Sequence, residues 1–137
     1  MTVLFAYGSL IDDRVWKLVA GPGAGPAEAA VLADHTRVFI AGAWYPTVVP
    51  SPGDNVAGAL RRNVSAAMLQ RLVTYESDKY EIRDLGVTLA GGDSETVRCF
   101  VTRPAVRLAR RKWDYDAWRR KGRDQLVRRL LAGDSVA

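Results

Sequence analysis

Thr2–Tyr7 form an apolar run without polar alternation that halts at Gly8-Ser9. A strand wet on one face reads with period two, so a run without it suits a strand buried on both faces and closed by a tight turn. The chain has 137 residues, 48% of them hydrophobic and 26% charged, which is one soluble domain with a modest core. Cys99 is the only Cys and His35 the only His, so neither a disulfide framework nor a zinc site is expected. Apolar stretches such as Val3–Tyr7 and Val38–Tyr45 are too short to cross a membrane, and the N-terminus lacks the basic start of a secretory signal. A cytoplasmic, single-domain protein spanning 1–137 is expected, without metal, cofactor or membrane contact.

Asp12–Ala20 clusters Val15, Trp16, Leu18 and Val19 and predicts a short helix, and residues 21–26, rich in Gly and Pro, predict a loop. Ala29–Leu32 and Thr36–Ile40 read as two β segments. Trp44–Asp54 reads as extended and turn-rich, because its three prolines remove three ladder donors. Asn55–Leu60 reads as a strand. Ser65 is a good N-cap for a helix over Ala66–Tyr75 with Leu69, Leu72 and Val73 on one face. Val87–Leu89 and Thr96–Thr102 read as strands joined through Gly91-Gly92. Asp114–Leu131 reads as a C-terminal helix interrupted by Gly122, with Trp113, Trp118, Leu126, Val127, Leu130 and Leu131 apolar. The class is α+β: mostly antiparallel strands, one central helix and a C-terminal helix.

Two places could carry chemistry. A buried strand that ends in a glycine turn can present successive N–H groups to an anion, or it can be a plain β-turn; Phe5–Leu10 reads either way. Glu76 ends an apolar helix, where the helix dipole disfavours an anion, and stands between Tyr75 and Tyr80. It is either a solvated terminal carboxylate or a cleft residue with a raised pKa suited to general base work. Ser9 lacks the flanks of a nucleophile elbow and a His partner in motif, so a serine hydrolase is not expected. His35 reads as a surface or structural residue and Cys99 as an inert core thiol.

Four segments in order along the chain carry a resemblance. Phe5-Ala6-Tyr7-Gly8-Ser9-Leu10, Tyr45-Pro46-Thr47-Val48-Val49-Pro50, Val56-Ala57-Gly58-Ala59-Leu60, and Leu69–Glu76 followed by Tyr80 together resemble the γ-glutamylcyclotransferase-like (AIG2-like) family over about residues 3–101. The resemblance implies a compact fold with a small, barrel-like mixed sheet and an active site between the N-terminal loop and the end of the central helix. It also implies a reaction in which the α-amine of a γ-glutamyl group attacks its own side-chain carbonyl, giving 5-oxoproline and a free amine or amino acid. Glu76 matches the family's catalytic glutamate. Tyr7, Gly8, Ser9 and Leu10 match the loop that holds the glutamyl group, and Tyr80 matches the aromatic residue lining the pocket. Such a ring closure needs a base and oxyanion donors, with no metal or cofactor. The implied partner is a small γ-glutamyl compound.

The chain departs from the family pattern at Val73, where Asp is usual, at Ser77, where Gly is usual, and at Ile82, where Arg is usual and Arg83 falls one place late. Ser77 bears on the turn that aims Glu76, and the displaced arginine implies a bulge or a different ion-pair partner. Charge separates along the chain: residues 1–102 hold 9 Lys/Arg against 11 Asp/Glu, and 103–137 hold 11 against 4. This basic extension, with Trp113, Tyr115 and Trp118 among its arginines, is either an amphipathic helix docked on the sheet or a contact for nucleic acid or an acidic partner. The latter would make the chain a non-catalytic binding module of the same fold.

Overall fold

Thr2–Ala6 forms strand β1, and its surroundings explain the missing polar face. Phe5 and Tyr7 point into one apolar cluster with Leu32, Val56, Leu60 and Val97, while Leu4 and Ala6 point into another with Trp16, Val64 and Leu72. The computed structural model describes residues 1–23 and 25–133. The remaining elements are α1 (Asp13–Ala20), β2 (Glu28–Ile40), β3 (Pro46–Val64), α2 (Ala66–Glu76), β4 (Tyr80–Leu89), β5 (Ser94–Thr102), β6 (Leu108–Lys112), α3 (Tyr115–Lys121) and α4 (Arg123–Ala132).

The strands run in the order β3-β1-β5-β4-β2-β6, and β3 also pairs with β2. That second pairing closes β1–β5 into a five-stranded barrel and leaves β6 as an extra strand beside β2. Only β1 and β5 are parallel among these pairs; the rest are antiparallel. The first cluster fills the barrel, and the second lies between its outer face and the helices. Closure buries β1 on both sides and removes most free sheet edges. Gly58 lets β3 close against β1: a Cβ there would lie 2.3 Å from the Ala6 carbonyl oxygen and 2.6 Å from Phe5 Cζ.

Several expectations need correction. The two expected segments at 29–40 are one strand, because the irregularity between Ala33 and His35 is a bulge rather than a break. Asp34 takes φ 58° there, a conformation Asp tolerates better than most residues. The turn-rich stretch 44–54 belongs mostly to β3. Its prolines sit where no ladder donor is needed: Pro46 starts the strand, Pro50 borders the bulge opposite His35, and Pro52 lies within it. The strand expected from Val87 begins already at Tyr80, and the basic strand β6 (Leu108–Lys112) carries no apolar pattern to announce it.

The single C-terminal helix is two. Gly122 separates α3 from α4, and a Cβ there would lie 3.0 Å from Trp118 Cδ1, so the break seats that indole. Val127 is buried and Leu126, Leu130 and Trp118 are partly so, whereas Leu131 is exposed. On α2, Ser65 caps as expected by accepting from the Met68 amide, but the buried face is Met68 and Leu72, and Val73 faces outward. Ala24 of the expected loop, and residues 134–137 of the basic extension, lie outside the described residues.

Candidate active site

β1 delivers the chain to Gly8, and Ser9–Ile11 then makes one 3₁₀ turn before α1. Asp12 caps α1, accepting from the amides of Arg14 and Val15, and is tied to α4 through Arg123. Burial pushes the Asp12 carboxyl up, but the Arg123 guanidinium and the two amides outweigh it and hold it below its usual range. Arg61, only 1% exposed, reaches from β3 to donate to the carbonyls of Leu10 and Ile11 and to Asp13. The turn is therefore braced from behind by a buried guanidinium. Gly8 sits close to Pro46, where a Cβ would meet Cγ at 3.2 Å. Among the described residues the amides of Gly8, Ser9 and Leu10 have no turn, cap or side-chain acceptor, as expected of the open first donors of a helical turn.

The end of α2 faces this turn. Tyr75 and Ser9 share a hydrogen bond between hydroxyls at 2.8 Å, joining the two elements directly. Glu76 is the last residue of α2 and lines the cavity beyond that bond. Burial pushes its carboxyl from an ordinary 4.5 up to about 8, and no cation or hydrogen bond offsets the effect. Burial likewise raises the Tyr75 and Tyr80 hydroxyls well above their ordinary value, with Glu76 adding to both.

Turn and helix end open on one cavity of about 720 Å³. Tyr7, Gly8, Ser9, Leu10, Glu76 and Tyr80, all named from the sequence, line it together. Their contributions differ. The Tyr7 hydroxyl is spent inside the barrel, donating to the Phe100 carbonyl at 2.6 Å, and the Tyr80 hydroxyl donates to the Pro46 carbonyl at 2.6 Å. The Leu10 side chain packs in the helix-side cluster. Ser9 and Glu76 thus carry polar side-chain groups toward the space. Cys99 is buried in the barrel interior and His35 bonds the Ala33 carbonyl at the bulge; neither lines the cavity. Among the described residues no three His, Cys, Asp or Glu side chains converge as a metal site would require.

From the sequence the outer rim is open between the Trp44-Tyr45 segment, the loop at 21–26 and the basic C-terminal segment; among the described residues the cavity is walled by the first and the last, and none from the loop lines it. Strand β6 pairs with β2, and Trp113, Trp118 and several cations of this segment line the cavity. The interleaved tryptophans were the available signal. Their target was hidden because β6, which carries them into place, has no sequence pattern.

The three departures have plain structural readings. Val73 is exposed on α2, so an Asp is absent from the surface rather than from the cavity. Ser77 adopts φ 73°, ψ 179°, a conformation suited to glycine, so the turn after Glu76 keeps the glycine geometry at some strain. β4 and β5 pair in unbroken register from Tyr80 to Thr88, without a bulge. Ile82 packs against the helix-side cluster, and Arg83 turns outward to pair with Glu81.

Comparison with known proteins agrees with this architecture. The sequence model of the family described as "Gamma-glutamyl cyclotransferase, AIG2-like" matches residues 4–120. AIG2-like protein D of Arabidopsis thaliana is 28% identical over 125 residues, covering 87% of this chain and 80% of that protein. A protein of Arabidopsis thaliana solved in solution superposes with a TM-score of 0.69 at 24% identity, covering 96% of this chain and 81% of that one. A solved γ-glutamyl cyclotransferase gives 0.66 at 22% identity, with 96% and 86% covered. The fold is shared with both, and the chain belongs to the AIG2-like γ-glutamyl cyclotransferase family.

Proposed function

We propose that the protein is a γ-glutamyl cyclotransferase that releases 5-oxoproline from a small γ-glutamyl compound, with Glu76 as general acid and base. The observation that carries this reading is a protonatable carboxyl, raised to about 8 by burial, in the same cavity as the Gly8–Leu10 turn, whose amides have no turn, cap or side-chain acceptor among the described residues. A base of that pKa is matched to an α-ammonium group, whose proton must leave before its nitrogen can attack. The ammonium in turn favours the ionised form of Glu76 once substrate is bound.

In the proposed reaction Glu76 takes one proton from the α-ammonium. The freed amine attacks the Cδ carbonyl of its own side chain and forms a tetrahedral oxyanion, held by the turn amides at Gly8–Leu10. As the intermediate collapses, the bond from Cδ to the leaving nitrogen breaks. Glu76 returns a proton to that nitrogen, and its freed carboxylate then takes the second proton of the attacking nitrogen as the lactam forms and passes it to the released amine, which departs as the ammonium. Tethering of the amine supplies much of the rate, so the protein's own task reduces to orientation, proton transfer and oxyanion stabilisation. No metal or cofactor enters these steps.

The binding-module reading is less well supported. Trp113 is buried, and its indole N–H donates to the Trp44 carbonyl at 3.1 Å. Trp118 packs beside it on the cavity side, which is unlike an open platform for stacking bases. The test is mass-spectrometric detection of 5-oxoproline from a panel of γ-glutamyl amino acids and amines. Glu76→Gln, folded by circular dichroism, is expected to lose roughly 10²–10⁴-fold in turnover. Undiminished turnover in that variant would remove Glu76 from the role.

A further inference from the structure

A cavity of about 720 Å³ is the size that encloses a drug-sized ligand, well beyond a glutamyl group held by Glu76 and the Gly8–Leu10 turn. The remaining space is walled by the C-terminal segment and by the turn between β2 and β3. Its aromatic members are Trp113 and Trp118, with ring centroids 6.2 Å apart, and Trp44, 82% exposed at the mouth. Its cations are Arg111, Lys112, Lys121 and Arg129.

Among the described residues, no carboxylate forms a salt bridge with any of these four. Arg111 is fixed in place, its guanidinium 4.2 Å from the centroid of the Phe39 ring, which is itself part of the wall. The acidic complement is slight. Asp114 shares the wall but is engaged as the cap of α3, accepting from the Ala117 amide, and Glu76 lies at the inner end. One exposed cation contributes little, but several of one sign around a partly enclosed space focus the field on it.

We propose that this outer part of the cavity is a leaving-group subsite. It takes a γ-glutamyl compound whose amine carries an aromatic or broad apolar body together with an anionic group, carboxylate or phosphate. The inference rests on the cyclotransferase reading and deepens it. Trp44, Trp113 and Trp118 cover the apolar body, and Arg111 and Arg129, with the two lysines, hold the oxyanion.

The experiment compares kcat/KM for release of 5-oxoproline from γ-glutamylphenylalanine, γ-glutamylphenethylamine, γ-glutamylalanine and the γ-glutamyl derivative of tyramine phosphate. The first two differ only by the carboxylate, the first and third by the aromatic body, and the fourth substitutes phosphate. The aromatic acids should exceed both the neutral aromatic compound and γ-glutamylalanine by tenfold or more, and the ratio of the first to the fourth names the anion. In the double variant Arg111→Glu/Arg129→Glu the ratio of acidic to neutral aromatic substrate should fall by at least tenfold, and Lys121→Glu should move it the same way. A ratio near one in the wild type, or one unmoved by these variants, overturns the subsite while leaving the cyclotransferase reading intact. If no compound releases 5-oxoproline, that reading fails first. The subsite is then decided by titrating intrinsic tryptophan fluorescence with γ-glutamylphenylalanine and γ-glutamylphenethylamine. Saturable quenching by the acid alone, lost in the double variant, upholds it, and no difference between the two compounds overturns it.

Discussion

Replacing Glu76 by Gln should change how stability depends on pH, and the direction follows from the carboxyl's surroundings. In the folded protein burial pushes the group from 4.5 to about 8, so folding must oppose its ionisation. The folded state then binds more protons than the unfolded chain across that window, and stability falls as pH rises through it. The loss is absent below pH 4.5, accrues through the interval and levels off above pH 8. At about 1.4 kcal/mol per pH unit the whole interval amounts to about 5 kcal/mol. The carboxyl faces a cavity that admits water, which lowers the cost of the charged form, and about 2–3 kcal/mol is expected. Glutamine keeps the shape and lacks the titration. Urea unfolding of both proteins at pH 5, 6, 7, 8 and 9 should therefore show Glu76→Gln gaining on the wild type by about 2–3 kcal/mol between the ends. All other titrating groups are common to both and cancel. Parallel stability curves would refute the raised carboxyl, and with it the matched base.

Gly58→Ala drives a Cβ to 2.3 Å from the Ala6 carbonyl oxygen, at the seam where β3 meets β1, and should cost more than about 3 kcal/mol, read as a fall in Tm or loss of soluble protein. Ser77→Gly relieves a residue held at φ 73°, ψ 179° and should raise stability by about 1 kcal/mol in urea unfolding, whereas an unchanged midpoint would mean no strain is stored there. Tyr75→Phe removes the hydroxyl that meets Ser9, so about 1 kcal/mol should be lost and KM for a γ-glutamyl compound should rise more than kcat falls.

The candidate site was legible in the sequence to the extent that its parts are local. Phe5–Leu10 and Leu69–Glu76 each announce themselves, one as a buried strand halted by glycine and the other as a capped helix ending in an acid. What brings them together is closure of the barrel through Gly58 and the β2–β3 pairing, which depends on contacts far apart in sequence. The C-terminal wall was harder to read. Strand β6, LARRK, is recruited by the edge of β2 rather than by its own pattern, and its partial exposure leaves no apolar signature. The split at Gly122 likewise depends on where the Trp118 ring rests, a tertiary fact. The prolines of β3 misled because their effect depends on whether a ladder donor is needed at each position, and the bulge opposite Ala33–His35 removes that need.

The central claim, ring closure by the substrate's own amine with Glu76 moving the proton, is tested most directly by product analysis in ¹⁸O-water. The wild type should convert a γ-glutamyl compound to 5-oxoproline free of ¹⁸O, with no labelled glutamate, and Glu76→Gln should slow this by roughly 10²–10⁴-fold. Glutamate carrying ¹⁸O, or 5-oxoproline formed equally fast by the variant, would contradict the account.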